Sequence, residues 1–310
     1  MQFLDGEQIR SLISMKEVID ALDQYYLDDE DKNEYVPERL FINDNDNTAL
    51  LMPSFYEDYY GAKMIGIAPG NIKRNEPTLR GIFFLNKRST MKPLAVYDAR
   101  TITAMRTGAI SGLSIKYLAN KSATKLGIIG AGDQAWSHLQ AACAVRPIEE
   151  VYVTSRSQDR LNAFVEKIKT EYKDLHVEIT PVEALVEKAD IICTTTTSVE
   201  PVIPDDLQID LTGKHFAACG AFKAHMQEIP DSIIKKADRI FVDTYATFSE
   251  SGEMIKAKQF GKDESVVKEL KDLVRQGEAA YKENELTLFK SCGASIYDLV
   301  TAKLIYEKTN

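Results

Sequence analysis

Apolar residues recur at helical spacing near the start of the chain: Ile9, Leu12, Ile13, Val18, Ile19, Leu22 and Tyr26. That spacing predicts an amphipathic helical region over residues 5–30. Ser14, with Glu17 three residues on, reads as a cap within it. The acidic run Asp28–Asp31 reads as a solvated loop. From Tyr35 to Tyr97 the pattern changes to short apolar runs between turn residues: ERLFIND, TALLMPSF, YGAKMIGIAPG, LRGIFFLN and PLAVYD. These predict a small, mainly antiparallel sheet. Asp98 or Thr101 then caps a helix over TITAMRTGAISGLSIKYLA.

Beyond residue 124 strand and helix alternate. Lys125–Ile129 and EEVYVTS read as strands, Gln158–Tyr172 as a helix, HVEIT as a short strand and Val182–Lys188 as a helix. DIICTTTTS, KHFAACGAF and RIFVDT are further strands. Such βαβ alternation predicts a parallel sheet with helices on both faces. From Ser249 on the pattern is mostly helical and ends in TLFKSCGASIYDLVTAKLIYEK, a glycine turn followed by an amphipathic helix. The expected fold class is α/β, and 310 residues suggest two domains.

The most informative turn is Gly130-Ala131-Gly132-Asp133-Gln134-Ala135, between the Lys125–Ile129 strand and a helix that begins near Trp136. It has the G-x-G-x-x-A form of a dinucleotide fingerprint, and its position between strand and helix makes the reading specific. Gly130 permits the tight turn, Gly132 lets backbone approach a pyrophosphate, and Ala135 allows close helix–sheet packing. The phosphates would sit at the helix N-terminus, where free N–H groups and the helix dipole favour anions. An NAD site usually carries an acid at the end of the second strand, to hold the ribose 2′-hydroxyl. Here Ser155-Arg156-Ser157 stands in that place, and Arg160 follows one helical turn later. A guanidinium and hydroxyls suit a 2′-phosphate, so the sequence favours NADP(H) over NAD(H). The plainer alternative makes Arg156 a surface residue that opens the next helix.

Charge and composition narrow the partners. The net charge is −9, which argues against nucleic acid or an anionic membrane. No apolar run reaches the ~18 residues of a membrane helix, and the N-terminus lacks the basic-then-apolar order of a signal peptide. The four cysteines (Cys143, Cys193, Cys219, Cys292) are scattered and read as reduced thiols of a cytoplasmic protein. The four histidines show no metal-ligand spacing, so no metal site is expected.

Candidate substrate-binding charges lie in the first part of the chain: Arg39, Lys63 and Arg106. Lys63 interrupts an apolar strand, and Arg106 stands near the start of an apolar helix. A cation amid apolar neighbours is costly without a partner. Each singly is explained as well by a salt-bridged or snorkelled cation; all three beside a nicotinamide would bind a substrate carboxylate.

Six stretches in order carry a family resemblance: ALLMPSF (49–55), AKMIGIAPGN (62–71), TITAMRTGAISG (101–112), GIIGAGDQA (127–135), CGAFKAHMQEIP (219–230) and LFKSCGASIYDL (288–299). Through them the chain resembles the ornithine cyclodeaminase/mu-crystallin family over nearly its whole length. The resemblance implies a smaller α+β substrate-binding and dimerisation domain, residues 1–118 with 293–310, and an NADP-binding Rossmann domain over 119–292. It implies a homodimer. It places Arg39, Lys63 and Arg106 as carboxylate-binding cations. Lys63 and Arg106 are then the expected catalytic pair, and Lys63, as the nearby titratable group, is the candidate to supply the balancing proton, directly or through water. The resemblance sets Thr78 and Thr107 against the nicotinamide and phosphates, Asp133 and Gln134 in the phosphate turn, and Ser291 and Cys292 in a segment that closes over nicotinamide and substrate. Thr195, Cys219 and Gly220 complete the expected cofactor-binding set.

Two departures bear on the reaction. Ornithine cyclodeaminases resemble this chain but carry acids where it has Leu50 and Phe222. Without those acids, ring closure of a diamino substrate is not expected, and Phe222 suggests a substrate that is apolar near that point. The resemblance then implies NADP(H)-dependent hydride transfer at the C–N carbon of a small amino or imino acid, as in ketimine and pyrroline-carboxylate reductases or amino acid dehydrogenases. The alternatives are ornithine cyclodeamination and a mu-crystallin-like, NADPH-dependent small-ligand binding protein.

Overall fold

The structure, a computed structural model, describes residues 1–28, 33–74, 76–263 and 266–310. Most of the acidic run predicted as a solvated loop, residues 29–31, lies outside the described residues. By internal contacts the chain forms two units, Met1–Arg106 with Ala294–Asn310, and Thr107–Gly293. The change of unit falls inside the helix Ala99–Leu118.

The first unit is built on a six-stranded sheet of β1 (Gln2–Leu4), β2 (Leu40–Asp44), β3 (Asn47–Tyr56), β4 (Tyr59–Ile67), β5 (Leu79–Lys87) and β6 (Pro93–Asp98), in the order β1-β6-β5-β4-β3-β2. Strands β2 to β6 form the predicted antiparallel meander. The N-terminal β1, too short to show a period, adds to it in parallel beside β6. The predicted N-terminal helical region is two helices, Gly6–Leu12 and Met15–Leu27. They break at Ser14, whose side chain accepts from Glu17 N while Glu17 accepts from Ser14 N. That reciprocal capping box starts the second helix. Asp98 caps the long helix, accepting from Thr101 N at 2.7 Å.

The C-terminal helix Ser295–Thr309 corrects the amphipathic reading. Its first two turns are buried all round, from Ser295 to Ala302. Strands β3 and β4 cover one side and the helix Met15–Leu27 another, so no polar stripe survives there. On β4 side chains alternate: Lys63 and Ile65 face the covered side, while Met64 faces outward.

The second unit carries an eight-stranded sheet: β7 (Lys125–Ile129), β8 (Glu150–Thr154), β9 (His176–Ile179), β10 (Ile191–Thr194), β11 (His215–Ala218), β12 (Arg239–Val242), β13 (Val267–Glu269) and β14 (Thr287–Lys290). The order is β13-β12-β14-β11-β10-β7-β8-β9, and every pair is parallel. Strands β10, β11 and β14 are buried throughout, as a sheet covered on both faces requires. The α/β class expected from the alternation is therefore found. Strands β13 and β14 correct the mostly helical reading of the chain beyond Ser249. The run TLFK is too short to show a period, and its lysine masked a strand that lies between β11 and β12. All four cysteines are free thiols. No helix among the described residues is long and apolar enough to cross a membrane.

Candidate active site

In the second unit the chain runs from β7 outward through β8 to β9, then returns to place β10 on the other side of β7. The sheet's switch point thus lies between β7 and β10, where open α/β sheets bind ligands. The glycine turn follows β7 at that point. Gly130 has φ +125°, and a Cβ there would lie 2.5 Å from Thr195 Oγ1, so only glycine fits. Gly132 differs: a Cβ there would meet no protein atom within 4 Å. It precedes the helix Asp133–Val145, with no side-chain cap on the first N–H groups. Those donors and the open space at Gly132 fit a pyrophosphate.

A cavity of about 730 Å³ opens here. Of the predicted cofactor residues it gathers Gly130, Gly132, Ser155, Arg156, Ser157, Arg160 and Thr195. Thr107, Asp133, Gln134, Cys219, Gly220 and Ser291 lie in the same unit but outside its lining. Thr78 lies in the first unit, half-buried, its carbonyl accepting from Ala68 N at 2.8 Å.

Cys219 and its neighbours form a chain that resembles a nucleophile and its base. Ser111 Oγ lies 3.0 Å from Cys219 Sγ and 2.9 Å from His138 Nε2. His138 Nδ1 lies 2.7 Å from the Gln134 carbonyl, which can only accept, so Nδ1 carries the proton. Burial holds the Cys219 thiol up near 12 and pulls His138 down to about 4, so both are neutral at ordinary pH. The chain braces the fold and offers no thiolate. Burial likewise pushes the Cys292 thiol up to about 12. Ser291 and Gly293, on either side of Cys292, both donate to Asp243 Oδ2 at 2.7 Å. Phe222 is 42% exposed, its ring centroid 5.8 Å from Lys223 Nζ.

In the first unit Lys63 and Arg106 meet through one carboxylate. Asp298, from the C-terminal helix, places Oδ2 2.7 Å from Lys63 Nζ and Oδ1 3.0 Å from Arg106 Nε. Thr103 Oγ1 also accepts from Lys63, at 3.3 Å. Lys63 is 1% exposed and Arg106 5%. Asp298 has no role in the expected site, although a lone carboxylate in the apolar run SIYDLV is a usable signal for one. Burial pulls the Lys63 amine down to about 8; Asp298 acts against that, and the charges of Arg106 and Arg39 add to it. Arg39 is half-buried in a coil before β2. The cluster therefore holds two buried cations and one carboxylate, with a third cation contributing to its field. Asp298 engages Arg106 through Nε, which leaves both Nη groups out of that contact. An excess of positive charge in a buried cluster is suited to one further anion.

A family model described as ornithine cyclodeaminase/mu-crystallin matches residues 2–310. The chain is 36% identical over 319 residues to a Delta(1)-pyrroline-2-carboxylate reductase of Bacillus cereus, covering 99% of this chain and 96% of the relative. It is similar to the structure of Thermococcus litoralis Delta(1)-pyrroline-2-carboxylate reductase in complex with NADH and L-proline, with TM-score 0.90, 34% identity, and coverage of 100% and 97% of the two chains. It is also similar to an archaeal alanine dehydrogenase dimer with bound NAD, with TM-score 0.88, 30% identity, and coverage of 100% and 96%. The match runs from the first strand to the last helix, through both units, and the chain belongs to the ornithine cyclodeaminase/mu-crystallin family.

Proposed function

We propose that this protein is an NADP(H)-dependent reductase of a small cyclic imino acid, of the Delta(1)-pyrroline-2-carboxylate type. The observation that carries the reading is the buried Lys63–Asp298–Arg106 cluster, with one more cation than anion. The enzyme is an oxidoreductase, as the similar reductases and dehydrogenase are.

When bound, the dinucleotide supplies a hydride to the C=N carbon. The first turn of the helix Asp133–Val145 and Gly132 would hold its pyrophosphate. Arg156, Arg160, Ser155 and Ser157 in the cavity wall support a 2′-phosphate, even though the similar structures carry NADH and NAD. Arg106, through its Nη fork, and Arg39 bind the substrate carboxylate and orient the ring. Orientation supplies much of the rate. Lys63 gives the balancing proton to the imine nitrogen. An amine held near 8 is a usable acid at neutral pH, whereas an ordinary lysine holds its proton too tightly. Asp298 keeps the lysine protonated and aimed. Leu50 and Phe222 offer no acid for a side-chain amine, so neither position supports cyclodeamination.

The dimer expected for the family has a surface that fits it. The outer face of the first unit's sheet carries an apolar row across four strands, Leu40, Leu51, Met64 and Ile82, paired in register. A second row joins Pro53, Ala62, Phe84, Val96 and Phe3. The rows are part-exposed, with Leu40, Met64, Ile82 and Phe3 the most open to solvent. Apolar rows of this extent on a surface mark an interface, and we assign the face to a second copy of this chain. The function is tested by NAD(P)H oxidation with Delta(1)-pyrroline-2-carboxylate and identification of proline as product.

A further inference from the structure

We propose that Lys290, Glu253 and Glu228 form a buried positioning device that fixes the cofactor loops from behind. The inference rests on the dinucleotide site proposed above.

Glu228 follows the segment after β11 and is fully buried. Its carboxylate ties two loops together. Oε1 accepts from Thr196 N at 2.5 Å and from Thr196 Oγ1 at 2.8 Å. Oε2 accepts from Gly220 N at 2.7 Å and Ala221 N at 3.1 Å. Thr196 follows β10 and lines the cofactor cavity; Gly220 and Ala221 follow β11. The loops are pressed so close that a Cβ on Gly220 would lie 2.0 Å from Thr196 O. Four donors on one carboxylate make these charge-assisted bonds strong, provided that the charge is kept.

Glu253 and Lys290 keep it. Glu253 Oε1 accepts from Glu228 N at 2.7 Å, and Oε2 accepts from Ser251 Oγ at 2.8 Å. Lys290, at the end of β14, lies 3.3 Å from Glu253 Oε2, and both side chains are 0% exposed. Burial pulls the lysine down, but Glu253 and Glu228 more than offset it, so it stays a cation. Burial pushes Glu228 up, and Lys290 opposes that. None of the three lines the cavity, so they act through the Thr196 and Gly220 loops as positioning residues.

The experiment titrates wild type and variants with NADPH and NADH by fluorescence, with thermal unfolding as a check on folding. Lys290→Met leaves two buried carboxylates uncompensated and should weaken dinucleotide binding about tenfold or more. Adding Glu253→Gln removes the excess charge without changing shape, and binding should recover. A merely space-filling lysine would not be rescued in this way. Glu228→Gln, nearly isosteric, keeps one acceptor oxygen of two and should weaken binding by a similar factor. The imino acid KM at saturating dinucleotide should stay within about twofold. Should Lys290→Met fail to fold, Glu228→Gln carries the test. Wild-type binding with unchanged affinity in Glu228→Gln, or no rescue of a folded Lys290→Met, overturns the inference alone. Wild type that binds neither dinucleotide overturns the cofactor reading and this inference with it.

Discussion

Asp298 Oδ2 lies 2.7 Å from Lys63 Nζ, with both side chains closed off from solvent. This pair should set the pH dependence of the proposed reaction. With Lys63 as the proposed proton donor, the rate of reduction should fall as pH rises through about 8. Asp298 favours the charged amine, so Asp298→Asn should move that fall to lower pH. Lys63→Met should abolish it and lower kcat about 10²-fold or more. A pH–rate profile checks all three, and an unmoved limb in Asp298→Asn would disconnect the pair from catalysis.

The two glycines of the phosphate turn should separate stability from binding. Gly130→Ala forces φ +125° on a side chain and drives a Cβ toward Thr195. It should cost about 1–3 kcal/mol or more of folding stability. Gly132→Ala meets no protein atom, so thermal unfolding of the apoprotein should be nearly unchanged while dinucleotide affinity falls. Equal destabilisation of both would mean that the turn is not shaped for a ligand.

Cofactor choice turns on the end of β8. Arg156→Glu places a carboxylate in the cavity wall, where it repels a 2′-phosphate and can accept from a 2′-hydroxyl. NADPH affinity should fall about tenfold or more relative to NADH. Paired titrations decide this, and a wild-type protein that prefers NADH would remove the NADP(H) assignment.

Met64 sits at the middle of the outer apolar row, between Leu51 and Ile82. Met64→Glu should convert the proposed dimer to monomer, because an unpaired charge buried in an interface costs several kcal/mol. Sedimentation or light scattering reads the mass; a wild-type monomer would leave the face without its assigned partner.

The parts legible in the sequence were those with a local signal. The glycine turn, the Ser14 cap and the β7–α–β8 alternation each declare themselves within a few residues. Lys63 and Arg106 were visible because each is a cation in an apolar run. Their link was not: Asp298 joins them from the far end of the chain, and a pattern along one helix cannot say which strand it will pack on. Strand β14 was missed for a related reason. Four residues show no period, and nothing local ties Lys290 to its buried partner Glu253, which lies on another element. Glu228 was hidden in the same way, since its role is to accept from two loops that only the sheet order brings together.

Reduction of a cyclic imine that carries a carboxylate is the reaction on which the proposed function stands. The direct test follows NADPH and NADH absorbance with Delta(1)-pyrroline-2-carboxylate, and assays ornithine with the oxidised cofactors in parallel. NADPH should be lost in step with proline formation from the imine, and ornithine should give no ammonia. Proline and ammonia from ornithine without net cofactor change, or tight NADPH binding with no turnover of any imino acid, would contradict the proposed function.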